Sequence, residues 1–159
     1  MEIPIATTVS GQGAVAEHAP LALGVVGANG GVPSTRRIVD ESDVILFIGC
    51  RAGSVTTERW RSPKPGVKII HIDSDPDVIG ANYKTDVGIV SDAKLALAEL
   101  SKSLEGAENR NNGLVRAASA WEAKIKDFTA LATSSDTPIK PEAVIASLMN
   151  ALSKDAVIC

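Results

Sequence analysis

The stretch from Val67 to Pro76 reads VKIIHIDSDP, and it carries the pattern that decides the fold prediction. Its apolar run, Val67 to Ile72, predicts a β-strand buried on both faces, as in a parallel sheet that is covered by helices. Asp75-Pro76 then predicts the start of a helix, with Asp as the N-cap and Pro at the first helical position. A buried strand followed by a helix is typical of α/β proteins.

The same alternation recurs along the chain. Further apolar runs predict buried strands over Ile3 to Thr7 and Val44 to Ile48. A weaker pattern predicts a strand over Val87 to Val90, and Ala156 to Cys159 resembles the start of another. Apolar spacing and capping residues predict helices over Pro33 to Glu41, Ser91 to Leu104, Leu114 to Ala132 and Pro141 to Leu152. Strands alternating with helices favour a parallel α/β sheet with right-handed crossovers.

Composition excludes several classes of protein. The 159 residues are 45% hydrophobic and 22% charged, which indicates a folded domain. A net charge of −3 gives no basic excess for binding nucleic acid. The cysteines, Cys50 and Cys159, are too few for a disulfide-dense module or a four-cysteine zinc site. No long apolar run predicts a membrane span, and the N-terminus lacks the features of a signal peptide, so we expect a cytoplasmic protein.

Two segments rich in small residues could approach a ligand. Thr7 to Gly13 follows the first strand, where small residues allow a phosphate or ribose to come close, although a tight turn has the same composition. Gly24 to Gly31 holds four glycines and precedes a helix. A helix N-terminus behind a glycine loop favours anions, and a flexible connection is the alternative for this segment.

Two further segments end predicted strands with charged side chains. Arg51, in Gly49-Cys50-Arg51, has a fork of donors that fits a pyrophosphate, or it is a surface or ion-pair residue. Cys50 lacks a base placed beside it and is interpreted as a small residue at the core edge. Asp73 fits either a ribose hydroxyl or a local structural role, whereas Asp75 is interpreted as a helix cap.

No reacting centre emerges from the sequence. The two histidines, His18 and His71, sit in unrelated contexts, so neither a metal pair nor a catalytic triad is predicted. We therefore predict no catalytic residue and no metal ligand in this chain. The strand-end segments indicate a nucleotide-shaped ligand.

Four segments together resemble a known family. They are IPIATTVSGQGAV (3–15), PLALGVVGANG (20–30), DVILFIGCR (43–51) and VKIIHIDSDPDVIGANYKTDVGIVSDAKLALAEL (67–100). This order resembles the central domain of thiamine-diphosphate-dependent enzymes, especially the large catalytic subunit of acetolactate synthase. The similarity runs over about 3–104, and HIDSDPDVIGANY is its most specific part. From 138 onward the chain is similar to the opening of the diphosphate-binding domain that follows in this family.

The resemblance implies a Rossmann-like, three-layer α/β/α domain without the first strand of the family domain. It implies a central domain over 1–132, then a linker and the start of the diphosphate-binding domain over 133–159. The parent enzyme would be a 2-keto acid carboligase or decarboxylase, a homo-oligomer with pyrimidine-binding and diphosphate-binding domains on either side. Thiamine diphosphate and magnesium would bind outside this chain, which contains no Gly-Asp-Gly. The chain alone would be inactive.

The resemblance also implies contacts to FAD, which lies across the central domain in the flavin-containing members. The positions that match are Thr7, Thr8, Val9, Gly24, Gly27, Gly49, Cys50, Arg51, Asp73, Ser74, Asp75, Asp92 and Ala93. Other members bind ADP or coenzyme A at this place, and several bind nothing. A ligand-free structural domain and a free-standing nucleotide-binding module are therefore kept as alternatives.

Overall fold

The elements follow the predicted alternation. The computed structural model describes residues 1–108, 112–153 and 155–157. Its strands are β1 (Ile5–Thr7), β2 (Ala22–Val25), β3 (Val44–Ile48), β4 (Lys68–Asp73) and β5 (Val87–Val90). Its helices are α1 (Pro33–Asp40), α2 (Ala93–Ser103), α3 (Gly113–Ala132) and α4 (Pro141–Ala151), and one turn of 3₁₀ helix, Val9–Gly11, follows β1.

All strand pairs in the described part of the chain are parallel. β1 pairs with β2, and β4 lies between β3 and β5. The pairing of β3 with β4 runs without a break from Val44 opposite Lys68 to Ile48 opposite Ile72. Parallel sheets flanked by four helices form the predicted three-layer α/β/α, Rossmann-like fold.

The predicted helices form where local signals mark their ends. Pro33 begins α1, where its fixed φ suits the first turn. The carboxylate of Asp92 accepts a hydrogen bond from the amide of Leu95 at 3.1 Å and so caps α2. Gly106 follows α2 with φ of 75°, a backbone conformation that few other residues adopt without strain.

The helix predicted to begin at Asp75-Pro76 was wrong. The amide of Asp75 donates to Asp73 Oδ1, and the amide of Asp77 donates to Asp75 Oδ1, both at 3.0 Å. Such local bonds compete with helical hydrogen bonds, and residues 76–80 form turns instead. Gly80, with φ of 77°, lies at the end of these turns.

The strands also differ from prediction in number and burial. β2 was not predicted, because Gly24 made its segment read as a loop. Burial on both faces was wrong for β1 and β3, which are partly exposed, and β5 is exposed throughout. The reason is that α1 and α3 pack against β2 and α2 packs against β4, which leaves the other strands less covered.

The prediction that a strand starts at Ala156 to Cys159 was wrong for the two residues of this segment that the structure describes. Ala156 and Val157 lie outside any strand, while residues 158 and 159 fall outside the described residues. The predicted domain boundary near Thr133 stays a prediction; α3 ends there and α4 packs against α3. None of the described helices is both long and apolar enough to cross a membrane.

The core lies where α1 and α3 meet β2. Leu23 of β2, Ile38 of α1, and Ala117 and Ala120 of α3 form one buried cluster. The small alanines let α3 approach closely. Glu2 reaches the start of α3, where its carboxylate accepts from the amide of Leu114 at 3.2 Å. The N-terminal segment thus holds α3 in place.

Candidate functional site

Three of the predicted segments meet at one edge of the β3–β4–β5 sheet. Because these strands are parallel, their carboxyl ends point the same way. Gly49 to Arg51 therefore follow β3, Asp73 to Asp75 end β4, and Asp92 with Ala93 follow β5, side by side at this edge. The carboxyl edge of an open parallel sheet is the usual place for a ligand.

The backbone after β3 is held by side chains from elsewhere in the fold. The ring Nε2 of His71 lies 3.0 Å from the carbonyl oxygen of Cys50, and Nδ2 of Asn82 donates to the carbonyl of Arg51 at 2.8 Å. Two consecutive carbonyls are thus fixed by two side chains, so the main chain at Arg51 has a defined conformation.

The residues on either side complete this arrangement. The amide of Gly49 donates to the carbonyl of Ile72 at 2.9 Å, which continues the pairing of β3 with β4. Ala52 is buried, has φ of 48°, and directs its amide at the Cys50 sulfur 3.4 Å away. We name residues 49–52 the arginine loop.

The side chain of Arg51 is exposed, and within the described residues no carboxylate forms an ion pair with it. An ion pair of Arg51 is therefore absent among the described residues, and both a surface residue and a phosphate-binding residue fit its exposed position. A guanidinium on a fixed backbone keeps its donors available for a phosphate or a carboxylate.

The three aspartates at this edge act on their own loops. Asp73, Asp75 and Asp92 each accept a backbone amide through one carboxylate oxygen, Oδ1. Asp92 thus caps a helix, whereas Asp73 and Asp75 stabilise turns, and the helix-cap role predicted for Asp75 was wrong because no helix begins there. A carboxylate has a second oxygen, which can still accept a ribose hydroxyl. Ser74 is exposed between two of them, and Ala93 begins α2.

The end of β1 contains an unsatisfied polar atom. Oγ1 of Thr7 is buried and has no hydrogen-bond partner. Thr8 is different, because its Oγ1 accepts from the amide of Gly11 at 3.0 Å and begins the 3₁₀ turn that contains Val9. A buried hydroxyl without a partner fits the presence of a ligand with polar groups, since leaving such an atom unpaired costs about 1–3 kcal/mol.

The two glycines predicted from the second segment lie in less open positions. Gly24 is inside β2, buried, and faces Nζ of Lys124. Gly27 follows β2, and a Cβ placed on it would lie 2.3 Å from the carbonyl oxygen of Val55. The amide of Ala28 donates to the same carbonyl at 2.8 Å. The segment after β3 therefore covers Gly27.

Two clefts in the fold are not lined by the residues of this edge. A cleft of about 450 Å³ lies at the amino ends of β3 and β4, lined by residues that include Asp43 and Lys68. A second, of about 300 Å³, lies at the start of α1 and contains Arg36 and Glu58. Their side chains pair at 2.8 Å and neutralise each other. Neither cleft is lined by residues 49–52, 73–75 or 92–93, and the second is lined by Gly27.

Sequence reasoning missed the roles of His71 and Asn82. Both lie in the HIDSDPDVIGANY segment on which the resemblance rests. His71 is 2% exposed, and its ring packs 5.6 Å from that of Phe47. A histidine in an otherwise apolar strand was the available signal, because a buried polar group needs a partner. In the described residues no group of three or more metal-binding side chains occurs.

Comparison with known proteins places the chain in a family. Residues 1–100 match the model of the thiamine pyrophosphate enzyme central domain. The "Probable acetolactate synthase large subunit" of Methanococcus aeolicus is 40% identical over 94% of this chain and 26% of its own length. Its namesake in Methanocaldococcus jannaschii is 37% identical over 97% of this chain and 26% of its own length.

A plant protein is similar over the same extent. "Acetolactate synthase 1, chloroplastic" of Nicotiana tabacum is 34% identical over 98% of this chain and 23% of its own length. The chain thus spans about a quarter of the curated relatives it matches. The family match includes residues 49–51, 73–75 and 92–93, which lie at the carboxyl edge of the β3–β4–β5 sheet and which we name the strand-end edge. This chain belongs to the thiamine pyrophosphate enzymes and carries their central domain.

Proposed function

We propose that this chain is the central domain of an acetolactate synthase-like enzyme that acts on 2-keto acids, and that its strand-end edge binds FAD or another adenine nucleotide. The single observation that carries the nucleotide proposal is Arg51, whose exposed guanidinium stands on a fixed backbone with no carboxylate partner in the described residues. Such an arginine suits a pyrophosphate, which accepts two parallel hydrogen bonds.

Two further side chains support the same ligand, one at the end of β1 in the β1–β2 sheet and one at the end of β4. The buried Oγ1 of Thr7 lacks a partner. Asp73 uses one carboxylate oxygen on the amide of Asp75 and keeps the other for a ribose hydroxyl. A nucleotide contains both groups that these side chains would bind. In this proposal Arg51 holds the pyrophosphate and Asp73 the ribose, and neither moves a proton.

A ligand-free structural domain is the second candidate, and a specific observation favours it. Gly27 is covered by Val55, and the strand-end aspartates already accept backbone amides. Polar groups that already have hydrogen-bond partners within the fold do not require a ligand to pair with them. Measuring whether the chain binds a nucleotide distinguishes the nucleotide-binding domain from the ligand-free structural domain.

We propose that catalysis belongs to the parent and not to this chain. Thiamine diphosphate, held with magnesium by the flanking domains, supplies carbanion stabilisation when bound. The resemblance implies that the residues that would hold both groups belong to the flanking domains. The role left to this chain is to bind a nucleotide and to connect its neighbours.

The partners would be the pyrimidine-binding and diphosphate-binding domains of the same parent, assembled as a homo-oligomer. Apolar side chains on α4 support a covered surface: Ile145 is 47% exposed, Leu148 39%, Met149 69%. Patches of this kind commonly mark contacts between domains. The cytoplasmic location stays a prediction, which cell fractionation would check.

The experiment is a titration of both the chain and the longer parent with FAD, together with acetolactate formation from pyruvate. We expect the chain to be inactive and the parent to require thiamine diphosphate and magnesium. If the parent is colourless and its activity does not change when FAD is added, the flavin proposal is contradicted. Titration with ADP then shows whether the chain binds another nucleotide or none. Activity of the chain alone contradicts the assignment of catalysis to the flanking domains.

A further inference from the structure

His71 and Asn82 share one feature that no predicted role explains. Each directs a side-chain nitrogen at a main-chain carbonyl of the arginine loop: His71 at Cys50, 3.0 Å away, and Asn82 at Arg51, 2.8 Å away. The two side chains approach from β4 and from the segment before β5. Two consecutive carbonyls are therefore fixed by residues 21 and 31 positions away along the chain.

The geometry points to His71 and Asn82 as positioning residues that hold the arginine loop in its binding conformation. This inference rests on the proposed nucleotide site. The loop needs such support because Ala52, with φ of 48°, adopts a backbone conformation that costs a non-glycine residue about 1–3 kcal/mol. Hydrogen bonds to the two preceding carbonyls offset that strain.

Support of this kind affects affinity more than stability. A guanidinium on a loose loop must be ordered when the ligand binds, whereas here the main chain at Arg51 is ordered beforehand. Asn82 is exposed, so replacing it disturbs no packed core. His71 is 2% exposed and packs on Phe47, so its replacement also affects folding. Replacing Asn82 therefore separates the support of the loop from effects on folding better than replacing His71 does.

The test replaces Asn82 by Leu, which keeps the approximate size and removes the donor without adding a charge. Asn150→Leu is the matched control, because Asn150 is an exposed asparagine on α4 with no role at this edge. We expect Asn82→Leu to weaken ADP binding about three- to tenfold, the value of one hydrogen bond. Its melting temperature should stay close to that of Asn150→Leu.

A second readout works without any ligand. Cys50 lies in the arginine loop and is half-buried, so its reaction rate with a thiol reagent reports the loop conformation. Measured in a Cys159→Ser background, the rate should rise about three- to tenfold in Asn82→Leu, since one hydrogen bond is lost, and not in Asn150→Leu. For His71, the Gln variant retains an amide donor and should restore the slow rate that His71→Leu loses.

The outcomes separate this inference from the proposed function. If the unaltered chain binds no ADP or FAD, the proposed function fails, and the Cys50 rate alone decides the positioning role. If the Cys50 rate of Asn82→Leu equals that of Asn150→Leu, the inference is overturned, whatever the nucleotide affinity. If the rate rises and the ADP affinity of a binding-competent chain is unchanged, the loop is held by Asn82 but serves no ligand, which also overturns it.

Discussion

The carboxylate of Glu58 lies 2.8 Å from Nη1 of Arg36, and this ion pair joins α1 to a turn of left-handed backbone. Glu58, Arg59 and Trp60 have φ of 50°, 60° and 59°, three consecutive non-glycine residues in a conformation that each adopts only at a cost. Arg36 also lies 3.4 Å from Asp40, which accepts a hydrogen bond from Ser62 at 2.7 Å. This network holds the segment that covers Gly27.

Arg36→Leu should therefore destabilise the chain more than an ordinary surface substitution. The Glu58 side chain is 16% exposed, and removing its partner leaves a largely buried charge. Because Arg36 itself is 39% exposed, we expect a loss of about 1–2 kcal/mol in urea denaturation. Arg37→Leu, on the exposed face of the same helix, is the control. Equal losses for the two variants would contradict a structural role for the ion pair.

Adjacent hydroxyls at the start of α1 should respond in opposite ways. Oγ1 of Thr35 donates to the carbonyl of Leu23 at 2.8 Å, whereas Oγ of Ser34 is buried without a partner. Thr35→Val should lower the free energy of unfolding by about 1–3 kcal/mol, because a buried carbonyl loses its donor. Ser34→Ala should leave it unchanged or raise it by up to about 1 kcal/mol. Thermal denaturation of the two variants checks this, and a larger loss for Ser34→Ala would count against the bond to Leu23.

Gly27→Ala should be strongly destabilising. Its Cβ would lie 2.3 Å from the carbonyl oxygen of Val55, and φ at Gly27 is 98°. Close contact with backbone together with this φ should cost about 2–4 kcal/mol. Gly53→Ala is the control, because nothing lies within 4 Å of its added Cβ and no left-handed φ is required. Circular dichroism with increasing urea compares them, and a tolerated Gly27→Ala would refute the close approach.

Alkaline pH should weaken the fold through Tyr83. Burial raises the pKa of this phenol above its ordinary value of 10.0 and outweighs the opposing hydrogen bond with Thr57. The folded chain thus holds the phenol proton more tightly than the unfolded chain does. The resulting stability is complete below pH 10 and is lost as the pH rises through the folded pKa. Tyr83→Phe should show a shallower loss of stability between pH 9 and 11.5, measured by urea denaturation, and an identical pH slope would contradict it.

The sequence predicted those elements whose signals are local. β3 is an uninterrupted apolar run, β4 has three isoleucines around His71, and α2 begins where the carboxylate of Asp92 accepts from the amide of Leu95. The sequence did not predict β2, because Gly24, with φ of 81°, interrupts the apolar pattern of this strand. The helix at Asp75 failed because local side-chain bonds satisfied the amides that a helix would have used.

The sequence indicated where the candidate site lies, but not which side chains hold its backbone in place. Strand ends indicate where a ligand binds in any open parallel sheet, and this placed Arg51 and Asp73 at the edge. The support from Asn82 depends on a contact 31 positions away, which no local pattern encodes. The closure of Gly27 by Val55 likewise depends on how two loops meet.

Isothermal titration of the chain with ADP, with Arg51→Ala and Arg37→Ala as paired variants, measures whether the strand-end edge binds a nucleotide. We expect saturable binding at one site, weakened about tenfold or more in Arg51→Ala because a charged hydrogen-bond donor is lost, and unchanged in Arg37→Ala. Absence of binding to the unaltered chain, or equal affinity in Arg51→Ala, would contradict a nucleotide site at the strand-end edge.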